Sequence, residues 1–169
     1  MILSGAVDLV IESPDGRELI LARLEAGEHF GEMALLDDQV RSATARASVP
    51  AELLILLREN FLQMLEESPG MSHEIIHALV QRLRDADEKL EALAYLDAEG
   101  RIARMVLDLL PAEGGAVSVS HEELSHMAAT SRQTTTKVLG EWEELGYVAL
   151  VRRGITVQDH RALEILAEL

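Results

Sequence analysis

Two short stretches carry side chains suited to chemistry, and they point in different directions. The run Thr130-Ser131-Arg132-Gln133-Thr134-Thr135-Thr136-Lys137 gathers a guanidinium, a carboxamide, several hydroxyls and an ammonium within two helical turns. Arg132 suits bidentate contact with guanine O6/N7 and Gln133 with adenine N6/N7, each good pair contributing about 1–3 kcal/mol of base discrimination. Lys137, with Thr136 beside it, would meet a guanine or a phosphate, and Ser131 and Thr134 would hold phosphates. The competing reading is a solvated helix face. The second stretch, His73-Glu74-Ile75-Ile76-His77, matches H-E-x-x-H. On a helix it sets two imidazoles four residues apart on one face, able to bind zinc with Glu74 as the general base of a metallopeptidase.

Each stretch depends on the elements that carry it. Ser120-His121-Glu122-Glu123 is a capping box that opens a short helix to about Met127. A tight Ala128-Ala129 corner leads to a second capping signature at Thr130-Ser131-Arg132-Gln133, and a longer helix runs to about Leu145, where Gly146 closes it. Val117-Ser118-Val119 reads as a small strand. Tyr147-Val148-Ala149-Leu150 and Ile155-Thr156-Val157 form a hairpin around Arg152-Arg153-Gly154. Short helix, corner, longer helix and basic-tipped hairpin make a winged helix-turn-helix, a DNA-binding device. Arg152 and Arg153 would grip backbone phosphates, a sequence-blind and salt-sensitive contribution.

The zinc motif sits in a different frame. From about Ser72, Ile76, Leu79, Leu83, Ala86, Leu90, Leu93 and Asp97 recur at alternating spacings of three and four, the seam of a coiled coil. Arg82, Arg84, Asp85, Glu88, Lys89 and Glu91 occupy its flanks. This pattern favours a helix that pairs with its twin over one packed only on its own domain. Ile76 belongs to the seam, whereas His73, Glu74 and His77 lie outside it, and neither a third ligand nor a cleft is evident. No enzyme and no metal are therefore expected, and the metallopeptidase is a remote alternative. A sensor that only docks on a partner protein is another class, but it leaves Arg132 and Gln133 without a purpose. A break at Asp97-Ala98-Glu99-Gly100 precedes a second short helix at Arg101 to Leu107.

The first 60 residues read as β. Gly5 to Glu12 and Glu18 to Leu24 pair as a hairpin around Ser13-Pro14-Asp15-Gly16, and Ala43 to Val49 and Leu53 to Leu57 look like further strands. Short strands between Gly, Asp and Pro turns suggest a small antiparallel roll. The 169 residues contain no cysteine, which removes disulfides and thiolate metal sites and suits a reducing cytoplasm. Neither a signal peptide nor a membrane-length apolar run is evident, so a cytoplasmic protein with no membrane partner is expected. A net charge of −15 argues at first against nucleic acid. Screening, however, confines charge effects to about 10 Å at 0.1 M salt. Residues 118–169 hold five Lys/Arg against eight Asp/Glu, leaving −3 there and −12 elsewhere, and this distribution permits a local basic face.

Three motifs in register resemble one family. Phe30-Gly31-Glu32-Met33-Ala34-Leu35-Leu36 with Arg41-Ser42-Ala43 resembles the phosphate-binding cassette of cyclic-nucleotide-binding domains. Ser131 to Leu139, ending at Glu144-Leu145-Gly146-Tyr147, resembles the recognition helix of the catabolite activator / fumarate-nitrate regulator (Crp/Fnr) family. Glu88-Lys89-Leu90, Ala94-Tyr95-Leu96-Asp97 and Gly100-Arg101-Ile102-Ala103 are similar to its dimer helix and hinge. The resemblance implies an α+β fold: a truncated cyclic-nucleotide-binding β-roll over 1–68, a dimerisation helix and hinge over 69–98, and a winged helix-turn-helix over 99–169. The family's barrel begins earlier, so Met1-Ile2-Leu3-Ser4-Gly5 matches mid-strand and an exposed sheet edge is expected.

The function implied is a homodimeric transcription regulator paired through residues 72–97, binding a two-fold symmetric site on double-stranded DNA, with RNA polymerase as a further partner. Arg41, Ser42 and the Gly31-Glu32-Met33-Ala34 turn would hold a phosphodiester, and Glu32 would accept the ribose 2′-OH. Ala86 and Asp87 match the positions at which cAMP-binding members place Thr and Ser. Asp87, acceptor-only when ionised, would take adenine's amino group or guanine's N1–H and N2–H. The order of effectors is cAMP, then a guanine cyclic nucleotide, then none, the last being a ligand-independent regulator. Family members often carry Glu at the Gln133 position, so a different half-site is expected.

Overall fold

The computed structural model describes residues 1–37, 39–111, 115–152 and 154–168, in two compact units, Met1–Asp87 and Glu88–Leu169. In the first unit, β2 (Ala6–Glu12) and β3 (Glu18–Glu25) form the expected antiparallel hairpin, and β4 (Thr44–Ala47) pairs along the other edge of β2. Alternation along β2 turns Val7 inward with Leu24 of β3. Asp8 is buried too, which is tolerable because Arg23, its cross-strand partner, holds both carboxylate oxygens at 2.8 and 2.9 Å. The chain start forms β1 (Ile2–Ser4), which pairs with β5 (Glu52–Leu53). Leu53 to Leu57 is thus mostly not strand. Past Leu53, Leu54 is tied to Met1, and Ile55 and Leu57 are 80% and 66% exposed. A helix the sequence did not announce, α2 (Arg58–Glu67), starts at once. Its N-cap is Leu57, which offers no side-chain cap.

Between β3 and β4 lies α1 (Glu32–Leu36). The long helix α3 (Pro69–Tyr95) has 27 residues, roughly 40 Å at 1.5 Å per residue. One face packs inward through Ile75 and Ala92, while Ile76, Leu83, Leu90 and Leu93 stay 59%, 63%, 66% and 45% exposed. Asp97 does not belong to this seam. Helix α3 stops at Tyr95, and Asp97 caps α4 (Ala98–Asp108) by accepting from Gly100 N at 2.9 Å.

The second unit packs α4, α5 (His121–Met127), α6 (Arg132–Leu145) and α7 (His160–Ala167) around a sheet ordered β6-β8-β7. Its core joins Ile102, Val106, Leu124, Leu139, Trp142, Ile155 and Leu163, none with measurable exposure. Strand β6 is Ala116–Val117 rather than 117–119, because its ladder with β8 (Gly154–Val157) ends where Val117 faces Ile155. Strand β7 (Val148–Val151) completes the wing. Gly100 is a packing requirement: a Cβ there would stand 2.8 Å from Leu166 O of α7. Among the described residues no helix is long and apolar enough to cross a membrane.

Candidate functional site

In the first unit the turn before α1 is built on Gly31, whose φ of +86° suits glycine and little else. The turn drives Glu32 inward, to 3% exposure. A carboxylate is stable there only with a partner, and the partner is Arg82 of α3: its Nη1 donates to Glu32 Oε1 and its Nη2 to His29 O. Glu32 Oε2, equally buried, accepts no hydrogen bond among the described residues. Arg41 folds across the same turn and donates from Nη1 to Gly31 O at 2.7 Å. A Cβ at position 31 would lie 1.7 Å from that nitrogen, so the guanidinium rests on the bare glycine. Met33 and Ala34 follow on α1, Met33 49% exposed. A buried carboxylate oxygen without a donor, beside a guanidinium and a glycine cradle, fits an anionic ligand that also carries a hydroxyl.

Not every expected residue joins this cluster. Ser42 is exposed just before β4. Asp87, also exposed, makes no hydrogen bond to the turn among the described residues. At 100° per residue it stands roughly 140° around α3 from Arg82, on the stripe of Ile76 and Leu83. Arg82 is the residue the sequence reading missed, leaving it as a charged flank. Spacing along α3 gives no signal of this role, because both partners lie on the distant Gly31 turn.

In the second unit the corner and its caps aim α6. Ala128 ends α5, Ala129 turns the chain at φ +49°, and Ser131 caps α6 by accepting from Thr134 N at 3.0 Å. Thr135, Val138, Leu139 and Trp142 form the buried face, and Trp142 Nε1 donates to Glu99 Oε1 at 2.8 Å. Arg132, Gln133, Thr136 and Lys137 are therefore left exposed at the start of the helix. The hydroxyls of Ser131 and Thr134 bond each other at 2.8 Å, Thr136 meets His121 Nδ1 at 3.1 Å, and Lys137 lies 3.6 Å from Glu141. Gly146, at φ +77°, closes the helix. Arg152 is exposed at the wing tip; Arg153 lies outside the described residues. Glu143 accepts from Leu150 N at 2.9 Å, tying the wing to α6. His73, Glu74 and His77 are exposed on α3, and no group of three or more metal-ligating side chains occurs among the described residues.

A glycine turn over a buried carboxylate and a winged helix-turn-helix define a ligand-sensing DNA-binding protein. Residues 1–68 match the family model of the cyclic nucleotide-binding domain, and residues 100–166 that of the Crp-like helix-turn-helix domain. The chain is 39% identical over 168 residues to the cyclic AMP receptor protein of Thermus thermophilus, covering 99% of this chain and 78% of that one. It is 32% identical over 158 residues to Vfr, a cAMP-activated global transcriptional regulator of Pseudomonas aeruginosa, covering 87% and 74%. Among solved structures it is similar to CLP, a c-di-GMP-responsive global regulator of Xanthomonas campestris, with a TM-score of 0.85, 28% identity, and 92% and 82% of the two chains covered. The chain belongs to the Crp/Fnr family. It is a DNA-binding transcription regulator, not an enzyme.

Proposed function

We propose that the chain acts in the cytoplasm as a homodimer, paired through residues 72–97, whose hold on a two-fold symmetric duplex is controlled by a cyclic nucleotide, cAMP first. The observation that carries ligand control is Glu32 Oε2, buried without a donor under the Gly31 turn. Glu32 would accept a ribose 2′-OH there. Arg41 would leave Gly31 O for a phosphate, joined by Ser42 and the backbone N–H groups of Met33 and Ala34. Arg82 would hold Glu32 aimed. Asp87, on the apolar stripe, would face a base from the pairing side of α3. That stripe supports pairing, because Ile76, Leu83 and Leu90 bury little else.

Arg132 and Gln133 would read base edges, Thr136 and Lys137 would extend the contact, and Ser131, Thr134, Arg152 and Arg153 would hold phosphates. The three working parts are 1–68 as sensor, 69–98 as pairing helix and hinge, and 99–169 as DNA reader; RNA polymerase is the partner such a regulator would meet at promoters. Ligand would shift the population of hinge arrangements at residues 97–100 toward one that sets the two α6 helices a DNA turn, about 34 Å, apart. Fluorescence anisotropy on a labelled palindromic duplex, with and without cAMP, tests this. Tighter binding with cAMP, lost in Glu32→Ala, is expected; equal affinity in both conditions leaves a constitutive binder.

A further inference from the structure

One side chain serves the ends of two helices in the second unit. Arg101, on the first turn of α4, donates Nη1 to Leu96 O at 2.8 Å, Nε to Ala128 O at 2.9 Å and Nη2 to Ala129 O at 3.3 Å. Leu96 is the first residue past α3, and Ala128 and Ala129 are the corner between α5 and α6. Carbonyls at helix C-termini lack intrahelical donors and carry partial negative charge, so a cation with a fixed fork of N–H groups suits them. Here one guanidinium meets that need at the end of α3 and at the end of α5 together.

The corner it holds is the strained point of the reading head. Ala129 sits at φ +49°, a conformation costly for a residue with a Cβ. Three residues later α6 begins, with Arg132 and Gln133 on its first turn. A shift of the α3 end relative to the corner has to stretch or break the hydrogen bonds of Arg101.

We propose that Arg101 is a positioning residue for DNA recognition, coupling the end of α3 to the corner and so to the angle at which α6 presents Arg132 and Gln133. The proposal rests on the reading of α6 as the base-contacting helix. Arg101 touches no DNA in this account and acts through Ala128 and Ala129.

The test compares full-length wild type, Arg101→Gln and Arg101→Lys on two duplexes: a site selected from random DNA by the wild type, and a scrambled control, at one salt concentration. Arg101→Gln is expected to lose at least tenfold affinity for the selected site, while binding the scrambled duplex within twofold of wild type. Arg101→Lys, with one compact ammonium in place of the fork, is expected to recover less than half of that loss on a logarithmic scale. A role in stability alone would lower both affinities together with the folded fraction. Wild-type discrimination in either variant, or parallel loss on both duplexes by folded Arg101→Lys, overturns the proposal. If Arg101→Gln does not fold, the Lys variant decides by the same ratio. A wild type that shows no preference for any duplex would instead sink the reading of α6.

Discussion

The two units solve burial differently. The second has a continuous core running from Ile102 through Trp142 to Leu163, capped helices, and a wing tied back to α6 by Glu143. The main cluster of the first is small, with Ile2, Val7 and Leu24 buried, and the unit leaves Ile55, Leu57, Ile76 and Leu83 largely exposed and a buried Glu32 oxygen unpaired among the described residues. A head proposed to present Arg132 and Gln133 at a fixed angle gains from rigidity. A sensor gains from features that a ligand or a second copy can complete.

Breaking the reading head should have the largest effect. Leu139→Ala in the dense core is expected to cost about 2–5 kcal/mol. The chain has a single tryptophan, the fully buried Trp142, so urea unfolding followed by its fluorescence reports the second unit alone. Its midpoint should fall, with the far-UV circular dichroism of the first unit retained. Next is the open stripe: Leu83→Asp is expected to yield monomers in sedimentation equilibrium and to weaken binding to a palindrome on the order of 10²-fold, as linked half-sites become independent. Neither change should require the other.

The second unit was the more legible in sequence because its signals are local. Ser120 with Glu123 and Gly146 after Leu145 state the helix ends directly, and the structure places these caps where expected, whereas the cap of α6 falls one residue past the start of the expected Thr130-Ser131-Arg132-Gln133 signature, on Ser131 with Thr134 N. The first unit depends on pairings distant in sequence. The strand expected over 53–57 shrank because its ladder with β1 is antiparallel and residues past Leu53 run beyond the Ile2 end of that partner, and α2 escaped notice for want of a capping side chain. Arg82 was hidden for the same reason: its partners Glu32 and His29 lie some 50 residues away, and no spacing rule on α3 reveals them.

Smaller changes sharpen the contrast. Glu32→Gln removes the buried charge facing Arg82 and is expected to destabilise the first unit by about 1–3 kcal/mol. Circular dichroism would show it as an earlier melting phase, while Trp142 fluorescence stays unchanged. Gly140, in the middle of α6, has open space where a Cβ would stand. Gly140→Ala should therefore stabilise the second unit by about 0.5–1 kcal/mol, read as a higher urea midpoint; a simultaneous loss of DNA affinity would mean that this face approaches the duplex closely.

The central claim is that the exposed start of α6 reads bases in paired half-sites. Selection of bound duplexes from random DNA at fixed salt, run with wild type, Arg132→Ala and Gln133→Ala, tests it most directly. The account predicts a two-fold symmetric site in which each substitution relaxes preference at its own base pair, equally in both halves. An enriched site without symmetry, or variants that retain the wild-type preference at every position, would contradict it.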